Sequence, residues 1–149
     1  MRIPFVLAIG AVAVAVLAAW RPAAHSPAAD AEDIRRVVTS AYIDGLHKNG
    51  SRDSIRAGFH PAFVMQVLRD DSVSSVTIEQ WIARLPSPGT PPQRSVTHRI
   101  PDVSISGRAA VARVEVMFDD RHVFTDYMSL YEFPEGWRIV AKIFNTESS

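Results

Sequence analysis

Hydrophobic and polar residues follow one another along this chain in three successive patterns: a nearly unbroken apolar run, then helical spacing, then strict alternation. Between Ile3 and Trp20, 16 of 18 positions are apolar, Pro4 and Gly10 being the exceptions. Ile34, Val37, Val38, Ala41, Tyr42 and Leu46 then recur at helical spacing, which predicts a first helix with one apolar face. Asp30 and Asp33 suit its start, and Asn49-Gly50 suits its stop. Ser51 as cap, with Asp53 in the first turn, predicts a short second helix ending near Gly58, where Phe59-His60-Pro61 breaks the pattern. Ala62 to Leu68 reads as a strand. Thr77 and Gln80 have the spacing of a capping box ahead of Ile78, Trp81, Ile82 and Leu85, so a third helix is expected over Thr77 to Leu85. Pro86, Pro88, Gly89, Pro91 and Pro92 remove backbone donors and fix φ, which makes the following stretch a loop.

From Val96 the period becomes two. Ile100 to Ser106, Ala109 to Phe118, His122 to Phe133 and Trp137 to Asn145 are four β-rich segments separated by short turns. Turns of that length impose an antiparallel meander. The expected class is therefore α+β, with the helices packed on one face of a curled sheet. The adjacent pairs Asp70-Asp71 and Asp119-Asp120 read as solvated turn residues.

The apolar run changes the picture at the other end. With Arg2 before it and Ala/Pro/Ser-rich sequence through Ala31 after it, it has the order of a secretory signal, so residues 1–31 read as a leader and linker and residues 32–149 as the domain. A small-x-small site stands at Ala29 and Ala31. Left uncut, about 18 helical residues would extend close to 27 Å, enough to anchor the chain in a bilayer through residues 3–20. Export to the periplasm or medium is the expectation, and membrane anchoring the alternative. Without the leader the hydrophobic fraction falls from 47% to about 41%, ordinary for a soluble domain. Sixteen basic residues balance sixteen acidic ones, which gives no electrostatic reason to expect nucleic acid as a partner. The absence of cysteine excludes disulfides, thiolate metal sites, a cysteine nucleophile and a lipoprotein anchor.

The Phe59-His60-Pro61 turn, the capped third helix, Phe124-Thr125-Asp126-Tyr127-Met128-Ser129-Leu130, and Gly136-Trp137-Arg138-Ile139-Val140-Ala141-Lys142-Ile143-Phe144 resemble the putative lumazine-binding branch of the nuclear transport factor 2-like (SnoaL-like) superfamily. The resemblance spans roughly Ile34 to Asn145. It implies a cone in which three helices close over a strongly bent antiparallel sheet and leave a pocket between them, often in homodimers paired through the sheets. It does not name a reaction, because the superfamily contains isomerases, dehydratases and cyclases beside members that only bind or scaffold. Ala62 and Asn145 stand where relatives commonly carry an acidic residue and a histidine, which removes two titratable groups from the expected pocket.

Strand alternation puts Asp126 on the face of Phe124, Met128 and Leu130, an otherwise apolar row. Desolvation there would raise its pKa toward that of a general base; alternatively it pairs with an arginine or caps backbone donors. His60, at the pocket mouth in the resembled fold, could donate to a ligand carbonyl or shuttle a proton, or simply bond nearby backbone. Tyr42, Trp81 and Trp137 would supply an aromatic wall, or be plain core. His47, His98 and His122 show no metal-ligand spacing, and no phosphate loop or nucleophile elbow is present, so neither a metal nor a cofactor is expected. Val123, Thr125, Tyr127, Ser129 and Tyr131 form a mixed row on the opposite face, the natural homodimer contact. The leading expectation is an exported domain binding a small, partly apolar ligand through Tyr42, His60, Trp81, Asp126 and Trp137. The alternatives are an isomerase or dehydratase using Asp126 as base with His60 or Tyr42 as hydrogen-bond donor, and a ligand-free interaction module tethered to the membrane.

Overall fold

The computed structural model describes residues 26–148, so the leader expected over residues 1–20 and most of the linker after it lie outside the described residues. Helix α1 (Pro27–Val37) begins where Ser26 Oγ accepts the Ala29 amide at 3.2 Å and Pro27 takes the first turn, whose amide needs no partner. Its start lies ahead of the Asp30 expected from sequence, and Ala29 and Ala31 fall inside it. Without a break the chain widens into a π-helical segment, Val38–His47. There the bonds run i to i+5, so residues five apart become near neighbours. The segment stops at Asn49, in the left-handed region at φ 54, where Gly50 N bonds back to the carbonyls of Asp44 and Gly45. Ser51 Oγ then caps α2 (Arg52–Gly58) on the Ser54 amide. Helix α2 lies close under the π segment because position 45 is glycine: a Cβ there would stand 2.6 Å from Ile55 Cγ1.

Strand β1 (Phe59–Arg69) starts earlier than expected and turns back through Asp70-Asp71, both at positive φ, into β2 (Ser72–Thr77). Aspartate tolerates that conformation better than most residues, and the paired positive φ values suit a two-residue hairpin. Helix α3 (Ile78–Ile82) carries the capping box in full, with Thr77 and Gln80 bonding each other's backbone amides. After the proline-rich loop come β3 (Val96–Ser106), β4 (Ala109–Phe118), β5 (Arg121–Phe133) and β6 (Gly136–Thr146), paired antiparallel in sequence.

One sheet holds all six strands in the order β2-β1-β6-β5-β4-β3. The α+β class and the helices over one sheet face are as the alternation and spacing predict. The sheet is mixed, however, because β1 returns beside β6 in parallel. Bulges interrupt the β3–β4, β4–β5 and β5–β6 ladders, and each adds local bend and twist. The core lies between helices and sheet: Ile34, Val38, Tyr42 and Ile43 from the first helix, Ile55 from α2, and Phe59, Phe63, Val114, Val116, Met128, Leu130 and Ile139 from the strands. Each such side chain contributes roughly 1.5–3 kcal/mol by leaving water. Among the described residues no helix is long and apolar enough to cross a membrane.

Candidate functional site

Two polar features interrupt the packed interior, one closed and one open. The closed feature is built on Asp126. Alternation along β5 turns it inward between Phe124 and Met128, opposite Val114 and Phe144, and it is fully buried. Tyr42, from the π segment, donates to Asp126 Oδ2 at 2.6 Å. Lys142 Nζ donates to Tyr42 Oη at 2.8 Å and stands 2.7 Å from Asp126 Oδ1 as an ion pair. The ammonium also lies over the rings of Phe144, Tyr42, Trp81 and Phe124, at 4.6, 4.9, 5.3 and 6.0 Å from their centroids. Such faces attract a cation, which partly offsets its lost hydration.

Lys142 was not singled out by the sequence pattern, for a definable reason. From Trp137 and Ile139, both buried, simple alternation would carry Ala141 and Ile143 inward. Instead Ile139 pairs with Leu130 and Ala141 with Ser129, so Val140 is an extra residue and the facing flips beyond it. Lys142 turns in and Ile143 turns out, 57% exposed. Burial pushes the Lys142 pKa down, opposed by Asp126, and pushes the Tyr42 phenol well above its usual range, reinforced by the Asp126 charge. The expected general base is thus a carboxylate whose partner is a lysine from the neighbouring strand.

The open feature stands at the end of the π segment. A pocket of about 280 Å³ lies between Leu46, His47, the loop from Pro86 to Arg94, and Val96 and Phe118 at the sheet edge. Its frame is pinned on both sides. Asn49, 6% exposed, donates through Nδ2 to the Ser87 and Thr90 carbonyls at 3.0 Å each, while Arg52 donates to Asn49 Oδ1 at 2.8 Å and to the Pro86 carbonyl at 2.7 Å. At the other end Asp119 and Ser95 exchange hydrogen bonds. A loop rich in proline has few amides of its own to tie down, so its carbonyls are held from outside.

His47 joins the two features. Residues five apart meet in a π segment, and its ring packs edge-on against Tyr42 at 4.6 Å, with Phe118 at 5.6 Å and Phe124 at 6.4 Å. Its Nε2 is sealed from solvent without a hydrogen-bond partner. Burial first, and the Lys142 charge second, push its pKa down to about 3, so it is neutral at physiological pH.

The structure therefore gathers Tyr42, Trp81 and Asp126 into one cluster, with Trp81 edge-on to Tyr42 at 5.9 Å. His60 is elsewhere: its ring stacks on Phe133, at the far end of β5, and its Nδ1 accepts the Ala62 amide at 3.1 Å. Trp137 is core at the start of β6, its Nε1 without a hydrogen-bond partner. Neither His60 nor Trp137 bonds to Asp126. No group of three or more metal-ligating side chains occurs among the described residues.

Known proteins resemble this arrangement at the level of fold. The family described as "Putative lumazine-binding" matches residues 29–145. An NTF2-like protein of unknown function from Shewanella baltica OS155 superposes with a TM-score of 0.67 at 23% identity, covering 83% of this chain and 98% of its own. One from Silicibacter pomeroyi DSS-3 gives 0.67 at 16% identity, with 82% and 99% covered. The CaMKII hub of S. rosetta gives 0.55 at 14% identity, with 82% and 98% covered. No protein of curated function matches.

Proposed function

This chain belongs to the putative lumazine-binding family, an NTF2-like group, and we propose that it is a binding domain holding a small, flat, partly apolar molecule in the pocket beside His47. The observation that carries the reading is the juxtaposition of a walled cavity of about 280 Å³ with an imidazole whose hydrogen-bonding capacity is unspent. Leu46, Val96, Phe118 and the prolines supply apolar faces, and His47 supplies polarity, the usual composition of a ligand pocket. A volume of that order suits a molecule of one or two rings.

Asp126 serves in this reading as a positioning residue. Tyr42 holds one carboxylate oxygen and Lys142 pairs with the other, so the network fastens the π segment to the sheet and fixes where His47 stands. Its engagement on both oxygens speaks against the isomerase-type alternative, in which Asp126 must accept a proton from substrate.

Lumazine is the first probe, taken from the family's description. Isothermal titration of the purified protein should give saturable binding, and Val96→Trp, which fills the cavity, should abolish it. Equal binding by that variant would remove the pocket reading. We further propose that the protein is exported, supported by Arg2 and the apolar run through Trp20, and that it dimerises through the outer sheet face, where Leu68, Val73, Tyr127, Tyr131 and Ile143 are exposed. Cell fractionation checks the first, with recovery in the cytosol counting against it. Sedimentation of wild type and Tyr127→Lys checks the second, a wild-type monomer being the contrary result.

A further inference from the structure

His47 has two ring nitrogens in different positions. Nε2 is sealed inside without a partner; Nδ1 also lacks a hydrogen bond but is not sealed, and the ring lines the pocket. Behind the ring stands Lys142, whose ammonium lies over the same Tyr42 and Phe124 rings that His47 packs against. A neutral imidazole beside a cation is lowest in energy with its lone pair toward the charge and its proton on the other nitrogen. With the sealed Nε2 keeping its lone pair toward Lys142, the proton goes to Nδ1, the nitrogen that is not sealed.

None of the remaining polar side chains of the lining carries a negative charge. Arg94 is exposed and has no partner among the described residues, and the Thr90 hydroxyl and Gln93 amide can each donate or accept. Asn49 is spent on the loop carbonyls and on Arg52. No carboxylate is in the lining, and Asp119, next in the chain after the lining residue Phe118, already accepts the Ser95 amide at 2.9 Å. On the reading that this pocket is the ligand site, we infer that it selects planar molecules carrying hydrogen-bond acceptors, uncharged or anionic, and rejects cations. An acceptor on the ring edge would take the His47 proton, and a carboxylate or carbonyl farther out would meet Arg94. A cation would find no carboxylate in the lining and would face Arg94.

Two probes that share a ring system separate the outcomes. 2-Naphthoate and 2-naphthylmethylamine, the second cationic at neutral pH, are titrated into the purified protein. The inference predicts that naphthoate binds about tenfold more tightly or better, the scale of one hydrogen bond to a charged group. His47→Phe and Arg94→Ala should each narrow that ratio. Equal or tighter binding of the amine overturns the inference while leaving the pocket reading intact. Failure of both probes and of lumazine removes both readings. The nitrogen spectrum of His47 at neutral pH needs no variant: a proton on Nδ1 is expected, and one on Nε2 contradicts the donor assignment.

Discussion

The Asp126 network and the His47 pocket share a helix, yet they handle polarity in opposite ways. In the network, Tyr42 hydrogen-bonds one Asp126 oxygen, Lys142 answers the other as an ion pair, and an aromatic box closes round the cation. In the pocket an imidazole without a hydrogen-bond partner stands beside open space, and Arg94 at the rim has no ion-pair partner among the described residues. A buried charge in an apolar row is what first draws the eye in the sequence, but a charge that is fully answered is structural. Unspent hydrogen-bonding capacity beside a cavity is the stronger sign of a site.

If the network is structural, breaking it should be the costliest change in the molecule. Lys142→Met leaves Asp126 buried without its counter-charge and should destabilise by about 3–5 kcal/mol in urea unfolding. Pairing it with Asp126→Leu should recover most of the loss, since a well-packed apolar replacement removes both charges. A loss below about 1 kcal/mol for the single variant would place the network's weight elsewhere.

His47 gives a second lever, through pH. Its pKa is about 3 in the folded protein, against about 6.5 when unfolded. Between those values the unfolded chain binds a proton that the folded chain does not, so stability falls as pH drops from about 6.5 toward 3 and levels off below. The loss attributable to His47 is on the order of a few kcal/mol. His47→Phe should flatten that part of the curve and leave the region above pH 7 unchanged; an unaltered acid limb would mean that the ring is more hydrated than its burial implies.

The smallest effect belongs to the pocket frame. Asn49→Ala removes two bonds to the loop and places alanine at positive φ, for an expected cost of about 1–2 kcal/mol. Its signature is local: amide exchange should quicken over residues 86–94 and not in β5. Uniform acceleration would show that the loop and the core open together.

How far the sequence reveals these features depends on the range of the interactions that make them. Thr77 and Gln80, Ser51, Asn49-Gly50 and the paired aspartates at the turns act on neighbouring backbone, and each is where its local chemistry predicts. The inward facing of Asp126 is likewise readable, because β5 alternates without interruption from Phe124 to Leu130. Strand β2 escapes notice because Ser72–Thr77 holds only two valines among polar residues and is held by pairing with β1. The parallel β1–β6 contact joins the two ends of the sheet sequence and has no local signal. Lys142 and His47 were missed for a common reason: each is re-aimed by one irregularity, a bulge at Val140 and a change of helical winding at Val38, that breaks the period on which sequence reading relies. An exposed Ile143 and a helix that keeps Tyr42 and His47 in contact are signs visible only after folding.

The distinction between the closed network and the open pocket is tested most directly by mapping amide and ring chemical shifts while 2-naphthoate is added to the purified protein. The account predicts saturable changes at His47, Thr90, Arg94, Val96 and Phe118, with Asp126, Met128 and Lys142 moving little. Changes centred on Asp126 and Lys142, with the His47 and Phe118 signals unmoved, would contradict it.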